Sequence, residues 1–473
     1  MPNSWDSSSA STWGFILIIS VLLGSLLAGN TLKRKVPFLK QSLMPASVLG
    51  GTILIIIAAI YRGVTGDVMF DEGAFNYAGT SYLEMITYHT LALGFIASTL
   101  KITDSHLNKK RTTEIVNTGV TTVATYLIQG IVGLSITVII ASFFIDGFFG
   151  AAGMLLPFGF GQGTGQAMNY GNIYETTHNF TGGTSFGLTI AAIGFLSASF
   201  GGVIHLNVMK KKGKIKAVKE TQALNTEKVE GNNEVPMQEN LDKISIQLAF
   251  IFVSYALAYA MMYLLGNAVG EGMKSTVYGF NFLLGVLCAT IVKFITRFLR
   301  KKHLMNREYI NNFLLTRLSN FFFDIMIVSG IAAIRLDVLE QYWGVALILG
   351  AAGLVITYLY NKLVAKLLFK AYTEEQFLAM YGMLTGTAST GMILLRELDP
   401  DFRTPAADNL VYQNFPAILL GLPVLFVATL CPTHPYISIA VLAGYFVALN
   451  IFLFRSFIFR KRAKKNVSEN KND

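Results

Sequence analysis

The sequence predicts an all-α polytopic membrane protein with two inverted five-helix repeats, each carrying a re-entrant loop after its fourth span, plus an eleventh C-terminal span. Three observations predict this fold: an apolar composition, runs of about 20 apolar residues, and alternating basic connections. Of 473 residues, 53% are hydrophobic and only 14% are charged. An ordinary soluble domain carries roughly a quarter charged residues. The composition therefore excludes a soluble enzyme, a secreted disulfide scaffold and a disordered chain.

The charge distribution indicates membrane topology and not nucleic-acid binding. The net charge is +10, but the Lys and Arg residues occur in short clusters between apolar runs. Only two cysteines are present, Cys288 and Cys431, so neither a disulfide framework nor a cysteine metal site is expected. The first twelve residues lack Lys and Arg, which predicts that the first apolar run is a retained span and not a signal peptide.

Eleven apolar runs are long enough to cross a bilayer, which needs about 20 residues per helix. They are residues 13–30, 42–61, 82–100, 115–145, 183–208, 244–265, 276–298, 312–334, 339–368, 407–431 and 435–455. Two further apolar segments, 147–172 and 376–396, are interrupted by glycine.

Basic connections set the predicted orientation. Clusters of Lys and Arg follow spans 1, 3, 5, 7, 9 and 11, whereas the opposite connections hold only Arg62, Lys274 and Arg335. Basic loops remain in the cytoplasm, so the N-terminus is expected outside and the C-terminus in the cytoplasm. Span 4 then runs outward and span 5 must run inward, so segment 147–172 between them cannot cross completely. It should enter from outside and return. Segment 376–396 should enter from the cytoplasm and return.

The alternating orientation of the spans also predicts the domain organisation. Residues 1–208 form an N-terminal repeat, 209–243 a polar cytoplasmic linker, 244–431 a C-terminal repeat of opposite orientation, and 432–473 an extra span with a basic tail. Thr125-Tyr126-Leu127 in span 4 recurs as Thr357-Tyr358-Leu359 in span 9, and Gly94-Phe95-Ile96-Ala97-Ser98 in span 3 resembles residues 329–333 in span 8. Inverted repeats with broken segments are typical of secondary transporters.

The first loop contains Gly159-Phe160-Gly161-Gln162-Gly163-Thr164-Gly165. Alternating glycines break a helix, unlike the GxxxG spacing of helix-packing faces, although a glycine-rich packing surface is the alternative. Free N–H groups at such a break can hold a carboxylate, and free carbonyls can coordinate a small cation. The predicted substrate ligands from this loop are Gly161, Gly163, Thr164, Gly165 and Gln166.

The second loop, residues 381–392, is rich in hydroxyl groups. Hydroxyl oxygens suit both Na⁺ and carboxylate groups, and the alternative is an ordinary span whose hydroxyls satisfy its own backbone. The predicted substrate ligands from this loop are Thr385, Gly386, Thr387, Ser389 and Thr390.

Polar residues near the second loop extend the predicted site. Arg396 either forms a bidentate pair with a substrate carboxylate or anchors the loop to Glu397 or Asp399, and both alternatives remain open. Asn409 and Asn414, at the start of span 10, are expected to line the cavity. Arg396 and Asn414 complete the predicted substrate ligands.

Asp324 in span 8 is a carboxylate within the membrane, which makes it a functional candidate. The alternative is a structural ion pair, with Arg317 as its partner. His89 lies at the corresponding place in span 3 and is expected to be a hydrogen-bonded interior residue. The predicted Na⁺ ligands are Ser98, Asp324, Thr387 and Asn409.

This plan and the first-loop glycine motif resemble the bacterial sodium/glutamate symporter family, over about residues 13–431. The resemblance implies Na⁺-coupled uptake of glutamate or a related anionic amino acid or dicarboxylate, with the two loops meeting near the membrane centre. It also implies a homodimer and an elevator-like movement of a transport domain against a scaffold domain. The eleventh span is an addition to the family plan.

Symport is therefore the leading functional hypothesis. A cation/proton antiporter is the alternative, and it would depend on Asp324 as the only deep carboxylate. No HExxH motif and no paired intramembrane aspartates occur in the sequence, and the Thr and Ser residues of the second loop lack an evident base, so an enzyme is not expected. No cofactor or nucleic-acid partner is expected either; the predicted partners are the lipid bilayer, a small anionic substrate and Na⁺ as the coupling ion.

Overall fold

The computed structural model describes residues 10–41, 44–102, 109–212, 241–269, 274, 277–279, 281–305, 307–336, 342–399 and 403–455. Within these ranges the secondary structure is helical and no strand occurs, which confirms the predicted all-α class. Most of the predicted linker and the basic C-terminal tail lie outside the described residues.

The helices before the linker are α1 (Ala10–Lys35), α2 (Pro37–Gln41), α3 (Ala46–Thr65), α4 (Gly79–Leu100), α5 (Lys109–Phe143), α6 (Leu155–His178) and α7 (Gly183–Lys211). The helices after it are α8 (Lys243–Val269), α9 (Asn281–Lys301), α10 (Asn312–Ala332), α11 (Trp343–Leu368), α12 (Thr373–Leu384), α13 (Ala388–Arg396), α14 (Ala406–Tyr412), α15 (Asn414–Leu430) and α16 (Pro435–Leu453).

The helices are those of a multi-pass membrane protein. Among the described residues, nine helices are long and apolar enough to cross a bilayer, and α14 with α15 make a tenth span if counted together. Ten of the eleven predicted spans coincide with this set. The exception is the third span, whose helix α4 has 22 residues but is less apolar because Glu84 and His89 lie among several threonines.

The tenth span is bent. Helices α14 and α15 meet at Gln413 with an angle of 49°. Pro416 lies three residues after Gln413, in the first turn of α15. Proline has no N–H to donate to the carbonyl four residues earlier, and its ring crowds that carbonyl. The bend therefore has a local cause in the sequence.

The chain divides into two compact units. Unit 1 comprises Met1–His106, Gly163–Ala192 and Ala217–Tyr342, and unit 2 comprises Leu107–Gln162, Ile193–Lys216 and Trp343–Asp473. The chain passes from one unit to the other within α6, between Gln162 and Gly163, and within α7, between Ala192 and Ile193. The division differs from the order of the predicted repeats along the chain, because each unit takes helices from both.

In unit 1, α4 packs directly on α10. A Cβ atom on Gly94 would lie 2.7 Å from the Phe323 ring, so the glycine permits the close approach of this ring to α4. The Ser319 hydroxyl donates a 2.9 Å hydrogen bond to the Gly94 carbonyl. The hydroxyl groups of Thr87 and Ser329 lie 2.8 Å apart. These helices are the predicted spans 3 and 8, which carry one of the sequence echoes.

In unit 2, the 35-residue helix α5 contacts most of the other helices. A Cβ atom on Gly153 would lie 2.0 Å from the Gly133 carbonyl oxygen, so two glycines allow the turn before α6 to touch α5. Helix α16 packs on the same helix, where its Leu442 lies beside Gly130. This contact holds α16 to unit 2.

Candidate functional site

The first predicted loop is a helix with a single break. Within α6 only Gly163 has non-helical backbone angles, with φ 79° and ψ −168°. This region is accessible essentially to glycine alone. The other glycines of the motif stay helical, so the break is narrower than four alternating glycines suggest.

In unit 2, Gly161 lies against Tyr126 of α5. A Cβ atom on Gly161 would lie 2.1 Å from the tyrosine ring, and the Tyr126 hydroxyl donates a 3.2 Å hydrogen bond to the Gly161 carbonyl. Gly161 therefore serves close packing, and its carbonyl next to the break is satisfied by a side chain.

In unit 1, Thr164 and Gly165 continue α6 beyond the break and are buried. The Thr164 hydroxyl donates a 3.1 Å hydrogen bond to the Met326 carbonyl, and a Cβ on Gly330 would lie 2.6 Å from Thr164. Gly165 packs on Leu91 in the same way, at 2.9 Å. The hydroxyl predicted to bind substrate is thus already used in holding α6 to α10.

Gln166 has an unused donor. Its Oε1 accepts a 3.4 Å hydrogen bond from Asn169, while its buried Nε2 has no partner among the described residues. Asn169 also donates to the Gly279 carbonyl at 3.4 Å. The amide of Gln166 therefore retains two N–H donors, from which a carboxylate can accept hydrogen bonds.

Asn169 lines a cavity of about 340 Å³ within unit 1. Its lining residues are Ser81, Glu84, Met85, Tyr88, Met168, Asn169, Asn172, Ile173, Tyr278 and Gly279. This cavity was not predicted from the sequence. The available signal was the spacing of Asn169 and Asn172, which puts both on one face of α6.

The second predicted loop is interrupted over three residues, Thr385 to Thr387, between α12 and α13. The Gln129 side chain of α5 donates a 3.0 Å hydrogen bond to the Leu384 carbonyl, at the end of α12. Thr387 is the N-cap of α13, where its hydroxyl accepts a hydrogen bond from the Thr390 N–H at 3.4 Å. A side chain thus satisfies each side of this break.

Within unit 2, α7 brings the second break close to the first half of α6. A Cβ atom on Gly194 would lie 2.8 Å from the Thr385 carbonyl oxygen and 3.2 Å from the Phe160 side chain. Gly386 is also tightly packed, because a Cβ there would meet the Gly382 carbonyl, Phe195 and Thr390 at 3.1 Å each. The side chain of Ser389 lies outside the described residues.

Arg396 ends α13 and is exposed. It lies nine residues from Thr387, about 13 Å along a helix at 1.5 Å per residue. Asp399 accepts hydrogen bonds from the backbone of Arg403 and Thr404, at 2.8 and 2.7 Å. Both alternatives for Arg396 remain predictions.

The start of the tenth span is tied to α12 by amides. Asn409 donates 3.0 Å hydrogen bonds to the Tyr372 hydroxyl and to Gln376 Oε1, and its buried Oδ1 has no partner among the described residues. Asn414 Oδ1 accepts a 2.9 Å hydrogen bond from Gln413. Asn409 therefore offers a free acceptor oxygen, as a cation ligand must.

The structure alters the environment predicted for Asp324 and His89. The Arg317 guanidinium lies over the Phe313 ring at 5.2 Å, and in the described part of the chain no ion pair joins it to Asp324, so the predicted partner is wrong. Two helical turns, about 10 Å, separate the two residues. Asp324 and Ser98 are half-buried, whereas His89 is exposed and not interior. His89 does form a hydrogen bond, of 2.7 Å, with the Tyr255 hydroxyl.

One cluster of ionisable side chains in unit 2 was not predicted from the sequence. His205 Nε2 lies 2.9 Å from Glu374 Oε2, and Lys362 forms an ion pair with the same carboxylate. Burial raises the pKa of Glu374, but hydrogen bonds and charge from Lys362 and His205 outweigh it and hold the pKa below its usual value. The sequence signal for this cluster was His205 in span 5 and Lys362 in span 9, two polar residues inside apolar spans.

Comparison with known proteins identifies the family. The profile described as "Sodium/glutamate symporter" matches residues 12–388, a range that includes both breaks and most of the predicted spans. A search of curated proteins finds no match. The family is one of transporters, and the match does not favour the antiporter alternative. Because the matched range covers well over half of the sequence, the chain belongs to the sodium/glutamate symporter family.

Proposed function

We propose that this protein couples Na⁺ entry to the uptake of glutamate, or of a related anionic amino acid or dicarboxylate, across the bacterial cytoplasmic membrane. Family membership supports the ion and the substrate class. The observation that carries the proposal is the break between Leu384 and Ala388, in a segment that is otherwise buried and apolar. Interrupted backbone at membrane depth is tolerated only where it is buried in protein or lines a water-filled cavity.

The break offers the chemistry that an anionic substrate needs. Helix α13 begins with Thr387 as its N-cap, and the N–H groups of a helix N-terminus favour negative charge. Thr385, Gly386, Thr387, Ser389 and Thr390 stay the proposed ligands from this segment. Gly161, Gly163, Thr164, Gly165, Gln166, Arg396 and Asn414 complete the proposed set.

The proposed Na⁺ ligands are Ser98, Asp324, Thr387 and Asn409. Asn409 has the strongest support, because its buried amide oxygen lacks a donor among the described residues. A bound Na⁺ places positive charge in a site of low dielectric constant, where it attracts an anion strongly. Substrate should therefore bind the Na⁺-loaded protein more tightly, and the coupling is reciprocal.

An elevator-like mechanism and a homodimer are part of this proposal. The two compact units support the mechanism, because it requires two bodies that each hold together by themselves. The homodimer rests on the family resemblance.

Uptake of labelled glutamate into proteoliposomes tests the proposal. We expect accumulation with an inward Na⁺ gradient and none when K⁺ replaces Na⁺. Absence of Na⁺-dependent uptake for every acidic substrate tried would refute the proposal. A parallel assay with a pH-sensitive dye, in wild type and Asp324→Asn, examines antiport: we expect no Na⁺-driven proton flux that depends on Asp324.

A further inference from the structure

A polar pair occurs twice in unit 2, once on each of two crossing helices. Thr125 and Gln129 lie four residues apart on α5, and Thr357 and Asn361 lie four residues apart on α11. A spacing of four residues puts both side chains of a pair on one helix face. Each pair combines a hydroxyl with an amide, and the two pairs are 232 residues apart in the sequence.

The two pairs hydrogen-bond to each other reciprocally. Gln129 Nε2 donates to Thr357 Oγ1 at 2.7 Å, and Asn361 Nδ2 donates to Thr125 Oγ1 at 3.3 Å. Thr125, Gln129 and Thr357 are fully buried, and Asn361 is 2% exposed. The four side chains, two from each helix, are therefore joined across the helices by these two hydrogen bonds and form a buried polar cluster.

Both amides have used both of their N–H groups. Gln129 Nε2 donates a second hydrogen bond to the Leu384 carbonyl at 3.0 Å, and Asn361 Nδ2 donates a second to the Thr357 carbonyl at 2.9 Å. The remaining amide oxygens, Gln129 Oε1 and Asn361 Oδ1, have no partner among the described residues. Exchanging oxygen and nitrogen in either amide would lose two N–H donations, so the network itself assigns the orientation.

Two buried acceptor oxygens in this cluster, both without donors among the described residues, point to a cation. A buried oxygen without a donor is destabilising, and a bound cation with oxygen ligands removes that destabilisation. No group of three or more His, Cys, Asp or Glu side chains suited to a metal occurs in the described part of the chain, so neutral oxygens are the available ligands. We propose that Gln129 Oε1 and Asn361 Oδ1 are ligands of a coupling Na⁺ at the crossing of α5 and α11, a site that rests on the proposed Na⁺ symport.

The same cluster links ion binding to the substrate segment. Gln129 holds the ion through its oxygen and the Leu384 carbonyl through its nitrogen. Leu384 directly precedes Thr385 and the break. Ion binding fixes the Gln129 side chain, and the fixed side chain orders the end of α12. The neutral ligands leave the positive charge uncompensated, which favours an anionic substrate nearby.

The test compares Gln129→Leu and Asn361→Leu with Asn450→Leu in the full-length protein. Asn450 is a matched control on α16 of the same unit, because its Oδ1 already accepts a 2.9 Å hydrogen bond from Tyr360. Glutamate uptake is measured against Na⁺ concentration in proteoliposomes. We expect the Na⁺ concentration at half-maximal uptake to rise about tenfold or more in each amide variant, since one ligand worth about 1.4 kcal/mol is a factor of ten. The control should match wild type.

A second measurement follows binding without transport. Purified protein in detergent is unfolded thermally in NaCl and in KCl, without glutamate. We expect a Na⁺-specific rise in unfolding temperature in wild type and Asn450→Leu, and a loss of that rise in both amide variants. If the leucine variants do not fold, Gln129→Glu and Asn361→Asp, which keep an oxygen at each position, replace them and should retain the Na⁺-specific rise.

Two results would overturn the inference. One is a lower maximal uptake rate with wild-type Na⁺ dependence in the leucine variants, which would show that the polar cluster has only a structural role. The other is loss of the Na⁺-specific thermal rise in the carboxylate variants. Failure of the proposed function is distinct from both, because it would remove Na⁺-dependent uptake from the wild-type protein itself.

Discussion

The two broken segments interrupt their helices by different means. The first break is one residue, Gly163, whose positive φ only glycine adopts readily. The second extends over three residues, 385–387, none of which has a positive φ, and it is bordered by the Thr387 cap and the Gln129 hydrogen bond. Glycine content therefore does not determine the width of a break.

The comparison separates two roles for glycine. In the first segment, Gly161 and Gly165 remain helical and let Tyr126 and Leu91 pack closely. Backbone freedom is needed at Gly163 alone. In the second segment hydroxyl and amide side chains satisfy the interrupted backbone. The first break should therefore respond to changes in backbone conformation and the second to loss of polar groups.

The largest effect is expected from Gly163→Ala. A non-glycine residue at φ 79° and ψ −168° is strained by about 1–3 kcal/mol, and relief of the strain would straighten α6. We expect loss of Na⁺-driven glutamate uptake and a lower thermal unfolding temperature in detergent. Gly386→Ala is the comparison, because its Cβ would meet neighbours at 3.1 Å without a positive φ. Equal damage from Gly386→Ala would contradict the distinction between the two breaks.

Thr387→Val should have the next largest effect. It removes the N-cap hydroxyl of α13, which is typically worth about 1 kcal/mol, and a proposed substrate ligand. We expect the glutamate concentration at half-maximal uptake to rise about fivefold or more, since about 1.4 kcal/mol is a factor of ten. Thr387→Ser keeps the hydroxyl and should stay near wild type. If serine and valine behave alike, the hydroxyl has no such role.

Thr164→Val tests the corresponding hydroxyl at the first break. Its hydrogen bond to the Met326 carbonyl should contribute about 1 kcal/mol to stability. We expect a lower unfolding temperature, with a smaller change in glutamate half-saturation than Thr387→Val produces. A rise in half-saturation as large as that of Thr387→Val would show that both breaks bind substrate through a hydroxyl.

The smallest effect is expected from Lys362→Met on α11, which removes the partner of Glu374. The pKa of Glu374 is below its usual value, so its ion pair stabilises the fold above the unfolded pKa of about 4.3. That stabilisation is lost as the pH falls through the lower folded pKa. The pair is partly exposed, at 28% and 23%, and should contribute about 1 kcal/mol or less.

Thermal unfolding of wild type and Lys362→Met at two pH values checks this expectation. The difference in unfolding temperature should be present at pH 7 and should disappear at an acid pH below the lowered pKa of Glu374 in the folded protein. A difference that persists unchanged at the acid pH would show that Lys362 acts through packing, for example over the Phe377 ring at 4.8 Å.

Local patterns predicted most of the helices but few of the side-chain partners. Alternating glycines indicated a break near residues 159–165, and the structure places it at Gly163. Helical spacing suggested that Arg317 pairs with Asp324, whereas Arg317 lies over Phe313. Spacing within one helix does not say which neighbouring helix a side chain meets. The same limit hid the cluster of His205 and Glu374, which are 169 residues apart.

The sequence by itself determined the all-helical membrane class and the places where two helices must break. Apolar run length, glycine and proline act through local backbone energetics, which a single sequence shows directly. Only the tertiary structure decided that helices of both predicted repeats share each unit, and that Gln129 and Asn361 keep oxygens without donors. Those features depend on contacts between residues more than two hundred positions apart, and buried polar groups are satisfied or left unsatisfied only once such contacts form.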